Sequence, residues 1–226
     1  VSALLALGLT PRWAIAVVIV LLLAALAKAA PHLLPYGSES SGPAFAIPHG
    51  VVLFIGVLCF IVFLAEGAML DWSAVFLSAE KHIGDAYAGL GYAAFAVTMT
   101  AGRLLGDTLV RRLGPTRVIV LGGSLAALGL ALATLAPGWE VALLGYALVG
   151  AGCSNIVPVL YSAVGKQTVM PEHIAVPAIT TLGYAGILAG PAAIGFVAHA
   201  SSLSAAFLII AALLVAVAIS GRILRV

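Results

Sequence analysis

Apolar stretches of roughly 20 residues, each closed by a short polar or proline–glycine break, recur along this chain and leave few architectures open to it. About 20 apolar residues make a helix long enough to cross a hydrocarbon layer of about 30 Å. Within lipid each backbone N–H and C=O needs a partner inside the chain, so such a stretch is helical. In order, residues 1–9 read as the apolar tail of a helix, too short to cross. Thr10-Pro11-Arg12 is a turn, and residues 13–27 form a span that Trp13 opens at interface depth. Residues 28–50 hold Pro31, Pro35, Pro43 and Pro48 around a Ser/Gly-rich run, which admits neither a span nor a regular helix. Six further spans follow at about 51–77, 86–106, 118–136, 139–161, 174–198 and 203–221. The expected fold class is an all-α membrane protein: a six-helix bundle preceded by one partial and one complete helix.

Composition enters as a check on solvent. The chain is 63% hydrophobic and 8% charged, with a mean hydropathy of +1.22, whereas a soluble domain carries roughly a quarter of its residues charged. Lipid is therefore the partner for most of the surface. A net charge of +2 gives no reason to expect a nucleic-acid partner. Cys59 and Cys153 fall inside apolar segments without metal-ligand spacing and read as packing residues. No cofactor is implied. There is no His-Glu-x-x-His pair, no nucleophile with an adjacent base and no phosphate-binding glycine loop to support an enzyme.

The densest charge cluster is Gly102-Arg103-Leu104-Leu105-Gly106-Asp107-Thr108-Leu109-Val110-Arg111-Arg112-Leu113-Gly114-Pro115-Thr116-Arg117. Read as a helix end, Arg103, Asp107 and Arg111 lie four residues apart and stack as a cation–anion–cation ladder, which Gly114-Pro115 then stops. With this loop on the cytoplasmic side, strict alternation of spans puts Lys28, Arg103, Arg111, Arg112, Arg117, Lys166, Arg222 and Arg225 inside. Arg12 and Lys81 fall outside, a strong positive-inside bias.

This stretch resembles the loop signature of the major facilitator superfamily. In that family the motif joins the second and third helices of each six-helix half, and the order of spans here agrees. Glu66 to Leu77 and Gly183 to Gly195 resemble the seventh and eleventh helices of a bacterial branch near the fucose permeases. The resemblance implies residues 1–27 as the end of an N-terminal half, 28–50 as a cytoplasmic linker and 51–226 as helices 7–12. It also implies a multi-pass protein of the bacterial inner membrane, whose missing N-terminal half is its partner. The implied function is secondary active transport of a small solute, a sugar or other polar metabolite, by alternating access and with protons as coupling ion. A non-transporting scaffold or receptor of the same fold is the alternative.

Glu66 is the sharpest single candidate. It lies about fifteen residues, roughly 22 Å, into its span, where a carboxylate is costly unless buried in the bundle, paired or protonated. It reads as a proton-coupling or substrate-contacting group, or as a structural hydrogen bond to a neighbouring helix. Asp71, five residues on, points about 140° away at 100° per residue, so the two form no dyad, and Asp71 reads as a site residue or a bond near the helix end. Asn155 precedes Pro158 at an expected bend, where transporter sites form; helix packing is its other reading. Gly102, Arg103, Asp107, Arg111, Arg112 and Gly114 read as a conformational latch or as a solvated basic anchor. Tyr92, Thr98, Thr100, Tyr161 and Tyr184 are possible cavity-lining groups. The glycine rows at Gly145/Gly150 and Gly183/Gly186/Gly190 read as close helix contacts. His173 and His199 are expected in loops.

Overall fold

A computed structural model describes residues 10–32 and 47–224. The helix tail expected at 1–9, most of the expected linker (33–46) and Arg225 lie outside the described residues. The chain divides into two units, residues 1–41 and 42–226. In the first, α1 (Pro11–Ala29) is apolar throughout its middle and carries Lys28 in its last turn. Pro11 occupies the first turn, where a missing N–H costs nothing. A short 3₁₀ turn, Ala30–His32, follows as Pro31 arrives.

The second unit holds the six expected spans. They are α2 (Gly50–Ala79); α3 (Asp85–Ala88) with α4 (Leu90–Leu104); α6 (Pro115–Leu135); α7 (Trp139–Cys153) with α8 (Ile156–Val164); α9 (Glu172–Ala200); and α10 (Leu203–Ser220). Between the second and third spans lies a short helix, α5 (Gly106–Leu113). The described residues contain no strand.

Two spans are broken where the sequence reads as continuous or merely bent. The second pauses at Gly89, a poor helix former. The fourth breaks at Ser154–Asn155 rather than bending at Pro158. The proline ring clashes with the carbonyl four residues earlier, and that residue is Ser154. His173 and His199 sit in the first and last turns of α9 rather than in loops, although both are exposed.

The spans close into a ring in the order α2, α4, α7, α6, α10, α9, each packed on the next. Exchanging the first three spans with the last three turns the α2/α9 pairing into α7/α4, so the bundle has the internal symmetry of a three-plus-three repeat. Glycine sets the closest approach. A Cβ on Gly129 would lie 2.6 Å from the Gly145 carbonyl oxygen, and one on Gly145 would lie 2.5 Å from that of Gly129. Gly122 and Gly152 repeat this reciprocal contact two turns away, at 2.6 and 2.5 Å. The α6 and α7 backbones therefore touch along two glycine pairs, the small-residue packing used where lipid offers no hydrophobic drive between helices. Gly150 and Gly186 sit equally close to the carbonyls of Phe95 and Phe60, as the glycine rows suggest.

Buried hydroxyls turn back on their own helices. Ser73, Thr134 and Ser220 donate to the carbonyls four residues earlier, which removes the cost of an unpartnered donor in lipid. Lys81 closes the far end of α6. Its Nζ donates to the Thr134 and Ala136 carbonyls and lies 5.3 Å from the Phe76 ring centre, so a cation meets the helix C-terminus. The outside of the bundle exposes many large apolar side chains: Leu188 and Phe196 are 80% and 78% exposed, a surface suited to lipid or to another apolar bundle. Cys59 and Cys153 are free and buried, consistent with packing.

Candidate functional site

Glu66 lies near the middle of α2, sixteen residues on from Gly50, or about 24 Å at 1.5 Å per residue. α4 runs antiparallel beside it, with Gly91 against Leu77 and Arg103 against Glu66. Arg103 is thereby carried to the same depth. The sequence reading put it in a cytoplasmic loop; the register of α4 on α2 corrects that. Arg103 drops out of the loop charges that orient the chain, and the remaining bias still favours the same side.

The guanidinium Nη2 of Arg103 lies 3.5 Å from Glu66 Oε1, with the arginine side chain 50% exposed and the glutamate 15%. This is an ion pair without hydrogen-bond geometry: Glu66 Oε1 is buried and receives no hydrogen bond among the described residues. The expected ladder is corrected too. The helix is interrupted at Leu105, between Arg103 and Asp107, and no ion pair joins Asp107 to either arginine among the described residues.

Asp107 and Arg111 serve α5 instead. They stand in its first and last turns, where an anion and a cation oppose the helix dipole. Arg111 Nη2 donates to Thr108 Oγ1 at 3.3 Å. Arg112 is exposed. Gly114 takes φ +80° and Pro115 opens α6 at once, so one residue makes the whole turn. Only glycine adopts that backbone readily.

The interruption at Leu105 meets the break at Asn155. The last carbonyls of a helix lack intrahelical partners, and Gly102 lies in the last turn of α4. Asn155 Nδ2 donates to the Gly102 carbonyl at 2.9 Å and lies 2.9 Å from Ser154 Oγ. Both glycines of the Gly-x-x-x-Gly step, Gly102 and Gly106, face this pair. A Cβ on Gly102 would stand 2.4 Å from Ser154 Oγ, and one on Gly106 would stand 2.3 Å from Asn155 Oδ1. The end of span two and the break in span four are thus clamped together by one buried amide.

Above this clamp opens a cleft of about 510 Å³, lined among others by Arg103, Asp107, Arg111, Asn155, Ser162 and Lys166. The structure therefore brings Glu66, Gly102, Arg103, Asp107, Arg111 and Asn155 into one neighbourhood. Asp71 is exposed on α2 and Arg112 does not line the cleft. Of the possible cavity-lining groups, Thr98 donates to the Ala147 carbonyl and Tyr161 to Thr180, while Tyr184 stacks on Phe63. All three are engaged in packing. The sequence reading missed Gly106, Ser154 and Lys166. Ser154 is signalled by its place four residues before Pro158; Lys166 carries no such signal.

Comparison with known proteins agrees with this architecture. The family model described as Major Facilitator Superfamily matches residues 54–226. The chain belongs to the major facilitator superfamily. It is 54% identical over 224 residues to an uncharacterised MFS-type transporter of Yersinia pestis, covering 98% of this chain and 58% of that protein. It is 35% identical over 167 residues to the membrane protein MosC of Rhizobium meliloti, covering 74% and 41%. Among solved structures, the E. coli fucose:proton symporter FucP superposes with a TM-score of 0.69 at 20% identity, over 96% of this chain and 55% of that one. That likeness is one of fold. The chain spans about half the length of the relatives it matches, and it is a multi-pass membrane protein of the superfamily.

Proposed function

We propose that the full-length protein is a secondary active transporter of a small solute in the bacterial inner membrane, coupled to protons, and that this chain supplies its C-terminal six-span half. Residues 28–50 then form the link to the other half. The observation that carries the reading is the placing of Glu66: a carboxylate at mid-depth, set against one half-exposed arginine that lines an open cleft. A carboxylate in that position is costly as a mere support and is suited to taking and releasing a proton as its surroundings alternate. Membership of a transporter family supports the same reading.

Asn155, which ties the end of span two to the break in span four, serves as the joint about which the α4–α5 and α7–α8 segments move together. Arg103, Asp107, Arg111, Arg112 and the Gly114 turn form the latch region of that movement, and Asp71 is a secondary contact on the exposed face of α2. The test is uptake into proteoliposomes of full-length protein under an imposed pH gradient, across a panel of sugars and small metabolites, with wild type set against Glu66→Gln. Gradient-driven accumulation that the variant loses is the expected result. Accumulation that survives the substitution removes Glu66 from the coupling.

A further inference from the structure

The cleft has a charge pattern that the transport reading leaves unused. Three cations, Arg103, Arg111 and Lys166, line it against a single anion, Asp107. Asn155 spends its amide on Gly102, and Ser162 donates to the Pro158 carbonyl. The donors left to face the cleft are cationic. Arg103 is the most available of them at depth. Its side chain is half-exposed, and its one ion-pair contact, to Glu66, lacks hydrogen-bond geometry. A guanidinium presents five N–H donors in a planar fork that matches a carboxylate, and most of this fork has no protein partner among the described residues.

We infer that the transported solute carries an anionic group, a carboxylate or a phosphate, which Arg103 binds in competition with Glu66. This rests on the transport reading and names the substrate class for the same site. The depth of Arg103, level with a glutamate about 24 Å along α2, favours a soluble ion over a lipid headgroup, which stays at the interface. The competition also supplies coupling. An anion that takes the guanidinium leaves Glu66 without its counter-charge, and a carboxylate unpaired at that depth takes up a proton. The anion and the proton are then bound together. Few other groups oppose this. Cys153 on α7 is free and buried. α9 brings Tyr184, which stacks on Phe63, and α8 brings Tyr161, bonded to Thr180. α10 has no titratable side chain.

The experiment measures binding by full-length protein in phosphatidylcholine nanodiscs, using gluconate and galacturonate against the neutral control glucose, beside uptake of the same compounds. The expected result is binding of the acids over glucose, about tenfold or more weakened by Arg103→Gln, partly kept by Arg103→Lys, and tightened severalfold by Glu66→Gln. A structural role for the pair does not produce those opposite signs. Glucose bound and carried as well as the acids, with Arg103→Gln without effect, overturns the anion inference and leaves transport standing. Weakening by Glu66→Gln as by Arg103→Gln overturns the competition. Loss of acid binding when phosphatidylglycerol replaces phosphatidylcholine assigns the cleft to a headgroup. Well-folded protein that neither binds nor carries any of the three overturns the anion inference, while the transport reading is decided separately by the wider panel under an imposed pH gradient.

Discussion

Replacing Gly106 with alanine is expected to be harmful in the natural chain and harmless, or mildly stabilising, once Asn155 is also alanine. The added Cβ would stand 2.3 Å from Asn155 Oδ1, about an ångström short of ordinary contact. The amide has to move, and moving it breaks the 2.9 Å bond from Nδ2 to the Gly102 carbonyl. Leaving that helix-end carbonyl unpaired in a buried site costs about 1–3 kcal/mol. Against this, alanine restricts the unfolded chain and favours α5 by up to about 1 kcal/mol. Gly106→Ala alone therefore costs about 1–2 kcal/mol. Asn155→Ala alone costs about 2 kcal/mol or more, for the same lost bond and the space left behind. In the Asn155→Ala background the obstruction is gone and only the alanine gain remains, so the sign reverses and the coupling is about 2 kcal/mol. The assay is the unfolding midpoint of detergent-solubilised full-length protein, followed by tryptophan fluorescence, for both single variants and the double. A Gly106→Ala effect that is equal in both backgrounds would refute the clamp.

Two further substitutions test packing. Gly145→Ala puts a methyl 2.5 Å from the Gly129 carbonyl; spreading two backbones is expected to cost about 2–3 kcal/mol. Adding Gly129→Ala then costs little, because the helices have already separated, whereas adding Gly150→Ala, which acts on the α4 side of α7, is nearly additive in thermal unfolding. Tyr146→Phe removes a hydroxyl that is buried without a hydrogen-bond partner among the described residues, and is expected to raise stability by about 1 kcal/mol in the same assay.

The spans were legible because lipid imposes a length and a composition that few other structures share. The depth of Glu66 followed from counting along one helix. Its partner did not. Spacing in sequence reports neighbours one turn apart, so Arg103 read as a partner for Asp107, whereas the register of α4 on α2 hands it to Glu66. Asn155 was legible as an oddity beside Pro158, but its role needs the Gly102 carbonyl of another span. The α6/α7 glycine pairs show the same limit. Gly122 and Gly129, like Gly145 and Gly152, are seven residues apart in sequence, yet only the antiparallel packing makes each the partner of another.

The central claim, that Glu66 carries the coupling proton, is tested most directly by separating exchange from accumulation. Full-length Glu66→Gln in proteoliposomes is expected to exchange labelled for unlabelled solute across the membrane at a rate near that of the natural protein. It is also expected to fail to concentrate solute, or to move protons with it, under a pH gradient. Solute-linked proton movement at the natural rate in the variant would contradict the account.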